Sequence, residues 1–182
     1  EVVDAVSIAA PTVLHREIAE VVALAGVHLL VEKPIAGTVS DAEAIIIAAK
    51  SAGVTLAVGQ IERHNPVVQY AKKALARKEW GDLITLSSTR VSTFPERIVD
   101  VGVIFDFLIH DIDVMNYLCA DVVSSVYASG RFYKSNKHED HACLVLNFGN
   151  DIVGICEASW LTPMKVRKLR LTCSTHFVEL DY

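Results

Sequence analysis

The chain of 182 residues lacks the marks of several protein classes. It contains no CxxC pair and no cluster of cysteines and histidines, so the sequence predicts neither a zinc site nor a disulfide framework. Its four cysteines stand far apart, as is typical of buried, reduced thiols, and we predict a cytoplasmic protein. The longest apolar runs are too short to cross a bilayer, and a net charge of -5 provides no broad basic surface. We therefore expect neither a membrane nor nucleic acid as a partner.

The two ends of the sequence also lack the residues that usually open or close a domain. Glu1 leads directly into a buried-strand pattern with no preceding cap or turn. Tyr182 stops inside a run in which apolar and polar residues still alternate. We therefore expect the chain to be a fragment of a longer protein.

The first third of the sequence alternates short apolar strands with helical patterns. Predicted strands cover residues 2–9, 27–31 and 54–58, and predicted helices cover residues 13–25 and 40–52. Thr12 and a capping box at Ser40 would begin the two helices, and Gly26 and Gly53 would end them. This order predicts a parallel βαβαβ sheet, which is half of a doubly wound domain.

From Leu83 onward the sequence is mostly β. Alternating apolar and polar residues predict strands over residues 83–93, 122–133, 142–148, 152–161 and 166–173. One long helix is predicted from Gly102 to Leu118, so this part reads as an α+β domain with a mostly antiparallel, open sheet. We predict a partial Rossmann-type α/β domain over residues 1–65, followed by a C-terminally incomplete α+β domain over residues 66–182.

A lysine follows the second strand of the predicted parallel sheet. Residues 27–34 read VHLLVEKP, an apolar run that suits a strand covered on both faces and that ends in Glu32, Lys33 and Pro34. Ligands bind outside the carboxyl ends of parallel strands, so this charged pair is a candidate for chemistry. The alternative is a solvated lysine beside Glu32, because the tripeptide EKP is by itself a weak motif.

A second candidate site lies on the helix predicted from Gly102. Asp106, His110 and Asp113 are spaced four and three residues apart, which places them on one face of an otherwise apolar α-helix. Two carboxylates around an imidazole can act as an acid/base site. The pattern also fits a surface ion pair, a core histidine or a metal site, and the spacing alone leaves these alternatives open.

The other histidines and one arginine are less distinctive. His15 could face a cofactor, but the surface of its helix is the stronger interpretation. His138 and His141 flank the acidic turn HEDH, which could bind a metal adventitiously and which we interpret as a solvated hairpin. Arg63 follows the third strand and could meet a phosphate or a ribose from an exposed position.

Three segments together resemble the Gfo/Idh/MocA family of NAD(P)-dependent oxidoreductases. They are AAPTVLHREIAEVVALAGVHLLVEKPIAGT, GQIERHNP and DVGVIFDFLIHDID, in this order along the chain. Each motif is weak alone, but the combination is specific, and the resemblance covers essentially the whole sequence. It implies the C-terminal half of a Rossmann domain, with the glycine fingerprint GxGxxG expected upstream of Glu1. Without that fingerprint, the chain is expected to bind dinucleotide poorly and to be inactive by itself.

The resemblance also implies roles for individual residues. Lys33 would contact the nicotinamide and the reacting hydroxyl, Asp106 would hold the substrate, and His110 would be the acid/base. The cofactor is predicted to be NAD, with NADP left open, and no metal is implied. The residues implied to line the cofactor are Pro11, Thr12, His15, Glu32, Lys33 and Arg63. Leu108 departs from the pattern DxGxH of many members, which bears on the substrate more than on the reaction type.

The substrate implied by the resemblance is a sugar or a nucleotide sugar. Residues 87–118 look most like the branch that oxidises UDP-N-acetylglucosamine at C3. Arg90 and Arg97 could meet the diphosphate, although solvated charges fit them equally well. The alternatives are an inositol or other polyol dehydrogenase, or a non-catalytic ligand-binding or regulatory protein of the same fold. The resemblance further implies a homo-oligomer formed through the C-terminal sheet.

Overall fold

Two units, each with its own sheet and hydrophobic core, make up the fold. The computed structural model describes residues 3–95 and 101–182. Contacts between Cα atoms divide the chain into Glu1–Gln60 and Ile61–Tyr182. A parallel sheet lies in the first unit and a mostly antiparallel sheet in the second, which confirms the predicted fold class.

The first unit is a three-stranded parallel sheet with two helices. Its strands are β1 (Ala5–Ile8), β2 (His28–Val31) and β3 (Leu56–Val58), in the order β1-β2-β3. Its helices are α1 (His15–Leu24), which a short 3₁₀ turn precedes, and α2 (Val39–Ala52). The predicted βαβαβ arrangement is confirmed, because both strand pairs are parallel.

The helix starts differ from the predicted ones. Thr12 lies inside the 3₁₀ turn, which no side chain caps, so the predicted cap of α1 is wrong. The cap of α2 is Thr38 rather than Ser40: its backbone is extended and its Oγ1 accepts a hydrogen bond from the Asp41 N–H at 3.1 Å. Gly53 ends α2 as predicted, with φ at +66°.

Strand β2 is covered on one face only. Its residues alternate between exposed and buried, and Leu30 is 42% exposed. Leu29 and Val31 pack in one core cluster with residues of both helices, such as Ala19 and Ile45. Since α1 and α2 contribute to the same cluster, they cover the same face of the sheet. The prediction that both faces of this strand are covered is therefore wrong for this unit.

The second unit is built on a six-stranded sheet in the order β5-β6-β7-β4-β8-β9. The strands are β4 (Leu83–Val91), β5 (Val123–Arg131), β6 (His141–Phe148), β7 (Val153–Ser159), β8 (Val166–Cys173) and β9 (Phe177–Asp181). All neighbouring strands are antiparallel except β4 and β7. Helix α3 (Pro66–Ala76) begins at Asn65, whose side chain accepts from the Val67 N–H, and it packs on the core of this sheet.

The long predicted helix has two parts. A π-helix covers Ile104–Leu108, and it continues as α4 over Ile109–Cys119. Ala120 ends the helix in the left-handed conformation, with φ at +53°. The wider i→i+5 turns of a π-helix occur mostly as short insertions within α-helices, frequently at functional sites. The sequence predicted a regular α-helix throughout, which is wrong for its first turns.

The connection between β5 and β6 is a hairpin, as the HEDH turn suggested, but it is not solvated throughout. Asp140 has no exposed surface, and its carboxylate accepts hydrogen bonds from the N–H groups of Tyr133, Lys134 and Ser135. A buried carboxylate needs such partners, because its desolvation is costly. The acidic turn is therefore an internal anchor of its loop.

The cysteines match the expectation of buried thiols only in part. All four cysteines are free, and Cys156 and Cys173 are buried, but Cys143 is exposed, contrary to prediction. Across residues 3–95 and 101–182, no helix is long and apolar enough to span a membrane.

Candidate functional site

Glu32 and Lys33 lie where the sequence predicted them, at the carboxyl end of β2. Both are partly buried, and the Lys33 main-chain N–H donates to Glu32 Oε2 at 3.2 Å. The Glu32 carboxylate lies against the end of β3, since a Cβ added to Gly59 would come within 3.1–3.3 Å of its atoms. Sequence reasoning missed this role of Gly59, although a glycine directly after a strand often marks such a close approach.

His15 connects the loops that follow β1 and β2. It is 1% exposed, with Nε2 at 2.9 Å from the Ala10 oxygen and Nδ1 at 3.0 Å from the Pro34 oxygen. The prediction that His15 lies on the helix surface is wrong. Main-chain oxygens face both ring nitrogens, so His15 supports the two loops rather than offering a free nitrogen to a cofactor. The exposed Pro11 and partly buried Thr12 belong to the first of these loops.

Replacing His15 by alanine is expected to destabilise the first unit by about 2–4 kcal/mol, because it opens a cavity and removes the donor of a buried hydrogen bond to a main-chain oxygen. Chemical denaturation followed by circular dichroism measures the loss. Val13→Ala is the control, since Val13 is 81% exposed and its truncation is expected to be neutral. Equal effects of the two substitutions would contradict the structural role of His15.

In the second unit, the π-helix and the start of α4 carry the other candidate residues. Asp106 lies in the π-helix and is partly exposed, whereas His110 lies in the first turn of α4 and is 9% exposed. The prediction of one shared face assumed 3.6 residues per turn. The wider turn before His110 changes the angle between these two side chains relative to that prediction.

Arg90 is buried rather than available to a diphosphate. Its side chain is 2% exposed, and it binds both oxygens of Asp111 through a two-point ion pair at 3.0 and 3.1 Å. Glu62 accepts a further bond from Arg90 at 3.2 Å, and the Tyr182 hydroxyl donates to Asp111 at 3.3 Å. Burial works to lower the pKa of Arg90, but Asp111 outweighs it and raises this pKa above its ordinary value. The predicted role of Arg90 as a substrate ligand is therefore withdrawn; Arg97, predicted with it, lies outside the described residues.

Arg63 makes the second two-point ion pair, with Asp113. The distances are 2.7 and 2.6 Å, and the guanidinium lies 5.5 Å from the centre of the Tyr117 ring. The hydrogen bond to Asp113 is the main reason why the pKa of Arg63 is raised. Any contact of Arg63 with a phosphate or a ribose would have to compete with Asp113.

The structure does not support the alternative of a metal site at Asp106, His110 and Asp113. Within the described ranges, no group of three or more His, Cys, Asp or Glu residues is placed to hold a metal ion. Asp113 is occupied by Arg63 instead.

Comparison with protein families supplies the classification. Residues 68–179 match the GFO/IDH/MocA C-terminal domain. The chain belongs to the GFO/IDH/MocA family. Residues 1–60 match the oxidoreductase family with an NAD-binding Rossmann fold, so the first unit of this GFO/IDH/MocA chain is a dinucleotide-binding fold. The family resemblance seen in the sequence is confirmed.

Several relatives are sugar or polyol dehydrogenases. The chain is 33% identical to UDP-N-acetylglucosamine 3-dehydrogenase of Acidithiobacillus ferrooxidans, over 99% of the chain and 56% of that protein. It is 32% identical to scyllo-inositol 2-dehydrogenase (NAD(+)) of Bacillus subtilis, over 88% of the chain and 50% of that protein. The WlbA dehydrogenase of Bordetella pertussis, solved with NADH and UDP-GlcNAcA, has a TM-score of 0.92 at 26% identity, over 100% of the chain and 56% of that structure. The chain thus spans about half the length of these relatives.

Within the GFO/IDH/MocA pattern DxGxH, Leu108 fills the place of the glycine. It is fully buried and belongs to the core of the second unit. The leucine therefore contributes apolar packing beside Asp106 and His110 that a glycine cannot provide.

Sequence reasoning missed the partners of Arg90, although a signal was present. Leu86, Ser88 and Arg90 occupy alternate, inward-facing positions of β4. An arginine at an inward position of a strand requires a buried acidic partner. Asp111, next to His110, is that partner.

Proposed function

We propose that the whole protein containing this chain is an NAD-dependent dehydrogenase of a sugar or nucleotide-sugar secondary alcohol, with UDP-N-acetylglucosamine, oxidised at C3, as the first candidate. The observation that carries the proposal is the 33% identity to a UDP-N-acetylglucosamine 3-dehydrogenase over 99% of the chain. The EKP motif at the end of β2 and the DxxxH motif before and within α4 agree with it.

The residues of the first unit suit a nicotinamide cofactor. Its three strands are parallel, and the loops after β1 and β2, with the lysine, meet at their carboxyl ends, where ligands of such sheets bind. NAD, when bound, supplies the acceptor for the hydride. We propose that Lys33, Glu32 and the loop from Pro11 lie beside it.

The proposed chemistry gives roles to Lys33, His110 and Asp106, as the family resemblance implies. His110 takes the hydroxyl proton while the C–H bond gives up its hydride, so the alcohol becomes a ketone. Lys33 stabilises the negative charge that develops on the oxygen, and Asp106 accepts a hydrogen bond from a second hydroxyl of the substrate. Reduction of the ketone uses the same groups in reverse.

The experiment is an assay of NADH formation by the complete protein with UDP-N-acetylglucosamine, other UDP-sugars, myo-inositol and scyllo-inositol. Reduction of the product with borodeuteride, followed by NMR, locates the carbonyl. We expect turnover of a UDP-sugar and a label at C3. Parallel reactions with NADP measure the cofactor preference.

Two other outcomes have a specific meaning. Turnover of inositols alone would favour the second candidate, a polyol dehydrogenase, which the 32% identity to scyllo-inositol 2-dehydrogenase supports. Cofactor binding without turnover of any sugar or polyol would contradict the enzyme assignment and favour a non-catalytic binding protein of this fold.

We also propose that the whole protein self-associates through the face of the second sheet that lies opposite its core. One row of paired residues crosses this face: Tyr127, Val145, Ile155, Ser87, Arg170 and Glu179. Tyr127 is 71% exposed and Ile155 is 47% exposed, so a second copy would bury apolar surface in the half of the row that β5, β6 and β7 form. Light scattering should show a smaller particle for Ile155→Arg, whereas Leu24→Arg, at an exposed position of the first unit, should leave the mass unchanged. An unchanged mass in both variants would contradict this surface.

A further inference from the structure

The loop between β5 and β6 holds the start of the helix that carries Asp106 and His110. The main-chain oxygen of Glu139 accepts from the Val103 N–H at 2.9 Å, and its Oε1 accepts from the Ile104 N–H at 3.0 Å. The first N–H groups of a helix have no partner within the helix. Glu139 supplies partners for both of these groups, and its negative charge suits the positive end of the helix dipole.

Gly102 leaves the space that this contact needs. Gly102 is buried, and a Cβ added to it would overlap the carboxylate of Glu139. The Gly102 oxygen also accepts from the Asp106 N–H at 3.0 Å, so this residue lies in the same turn as Asp106. A side chain at position 102 would force the Glu139 carboxylate to move, so the glycine leaves room for this contact.

Asp140 fixes the loop that presents Glu139. Burial works to raise the pKa of its carboxyl, but the N–H groups of Lys134, Ser135 and Tyr133 outweigh this and hold the pKa below its ordinary value. The main-chain oxygen of Asp140 accepts a hydrogen bond from the main-chain N–H of Trp160 at 2.9 Å.

Trp160, which is hydrogen-bonded to Asp140, contacts the helix at a second place. The Trp160 and Phe107 rings pack edge to face, with their centres 6.1 Å apart, and Phe107 directly follows Asp106 in the π-helix. The start of the π-helix is therefore contacted by Glu139 at its first amides and by Trp160 beside Asp106.

We propose that Glu139 is a positioning residue of the candidate active site: by holding the amides of Val103 and Ile104, it sets the start of the π-helix and so the direction in which Asp106 meets the substrate. The catalytic part of this inference rests on the proposed function. The positioning part does not rest on it, because it concerns only whether Glu139 keeps the first residues of the π-helix in place.

The experiment compares amide hydrogen exchange at residues 103–106 in the complete protein and its variants. In Glu139→Ala, exchange at Ile104 is expected to rise by about tenfold, since its bond to a charged group is lost, whereas Val103 keeps the main-chain oxygen of residue 139 as its acceptor. Glu139→Gln keeps an acceptor oxygen and is expected to keep most of the protection. Glu139→Asp keeps the charge but not the reach, so it is expected to behave like the alanine variant.

Gly102→Ala provides an independent test of the same contact. Its new methyl group must displace the Glu139 carboxylate, so exchange at Ile104 is expected to rise as in Glu139→Ala. The double variant Gly102→Ala/Glu139→Ala is expected to be no worse than the worse single variant, because the overlap and the bond involve the same side chain. Lys137→Ala, at an exposed position of the same loop, is the control.

Kinetics then test the link to substrate positioning. Glu139→Ala is expected to raise the KM for the sugar and to lower kcat, with NADH affinity unchanged. In Glu139→Gln, KM and kcat are expected to lie close to their wild-type values. Unchanged exchange at Ile104 in Glu139→Ala and Glu139→Asp, or additive effects of the two alanine substitutions, would overturn the positioning role. If the alanine variant does not fold, the aspartate variant decides. Absence of turnover in the wild-type protein would refute the proposed function instead, and the exchange result would still decide the role of Glu139.

Discussion

Replacing His110 by alanine, or Lys33 by methionine, is expected to abolish most of the turnover of the complete protein. Loss of a general base typically costs about 10²–10⁴-fold in rate, and loss of a group that stabilises a developing oxyanion about 10²–10³-fold. We expect reductions of kcat in these ranges, measured as NADH formation with the best substrate of the panel. The reason is that His110 is proposed to take the hydroxyl proton and Lys33 is proposed to stabilise the charge that develops on the oxygen.

Binding measurements distinguish the loss of a catalytic role from a general loss of structure in the two variants. NADH affinity, measured by fluorescence titration, is expected to stay within a few-fold of wild type in His110→Ala, because the proposed role of His110 is toward the substrate alone. Lys33→Met is expected to weaken both NADH and substrate binding, since this lysine is proposed to touch both.

Matched controls exist on the surface of each unit. Lys50 lies on the exposed side of α2, and His176 lies in the exposed turn between β8 and β9. Lys50→Met and His176→Ala are expected to leave kcat unchanged. Reductions below fivefold in both Lys33→Met and His110→Ala would contradict the assigned roles.

The order of strands and helices could be predicted from the sequence because hydrophobic periodicity and glycine turns are local signals. Strand β8 was predicted with its observed bounds, Val166–Cys173, and Gly53 ends α2 as expected. Local signals also placed Lys33 at the carboxyl end of β2. What these predictions share is that residues close in sequence decide them.

The failed predictions depend on contacts between residues far apart in the chain. His15 reads as a surface residue of its helix, but it is buried because the Pro34 oxygen lies beside it. The HEDH turn reads as solvated, but Asp140 is enclosed by N–H groups of its own loop and Glu139 reaches the helix start at Ile104. The π-helix has no single-residue signal, since its wider turn depends on the packing around it. Tertiary partners, rather than propensity, decide these positions.

The buried ion pair of Arg90 and Asp111 gives the largest expected effect on stability. Both side chains are 2% exposed, so Arg90→Ala would leave the carboxylate of Asp111 in the core without its main partner. Removing one member of a buried pair typically costs about 3–5 kcal/mol, and we expect a loss of this size in the free energy of unfolding of the second unit. Denaturant unfolding followed by tryptophan fluorescence reports on this unit, because Trp80 and Trp160 both lie in it.

The pair of Arg63 and Asp113 is a control of nearly the same geometry. Its two contacts are shorter than those of Arg90, but the side chains are 44% and 12% exposed. Solvent screens this pair, so Arg63→Ala is expected to cost only about 1 kcal/mol. Arg77→Ala, at a position that is 72% exposed, is expected to be neutral.

A double substitution distinguishes burial of an unpaired charge from the net contribution of the pair. In Arg90→Met/Asp111→Leu no charge of the pair remains in the core. Its loss of unfolding free energy is therefore expected to be smaller than the sum of the losses in Arg90→Met and Asp111→Leu, with a coupling of about 1–3 kcal/mol. Glu62 and Tyr182 reduce this recovery, since each loses a partner in the double variant. A cost of Arg90→Ala no larger than that of Arg63→Ala would show that burial does not set the energy of this pair.

Because Asp111 directly follows His110 in α4, the same variants also test whether this pair keeps the candidate base in place: KM for the sugar is expected to rise in Arg90→Ala more than in Arg77→Ala.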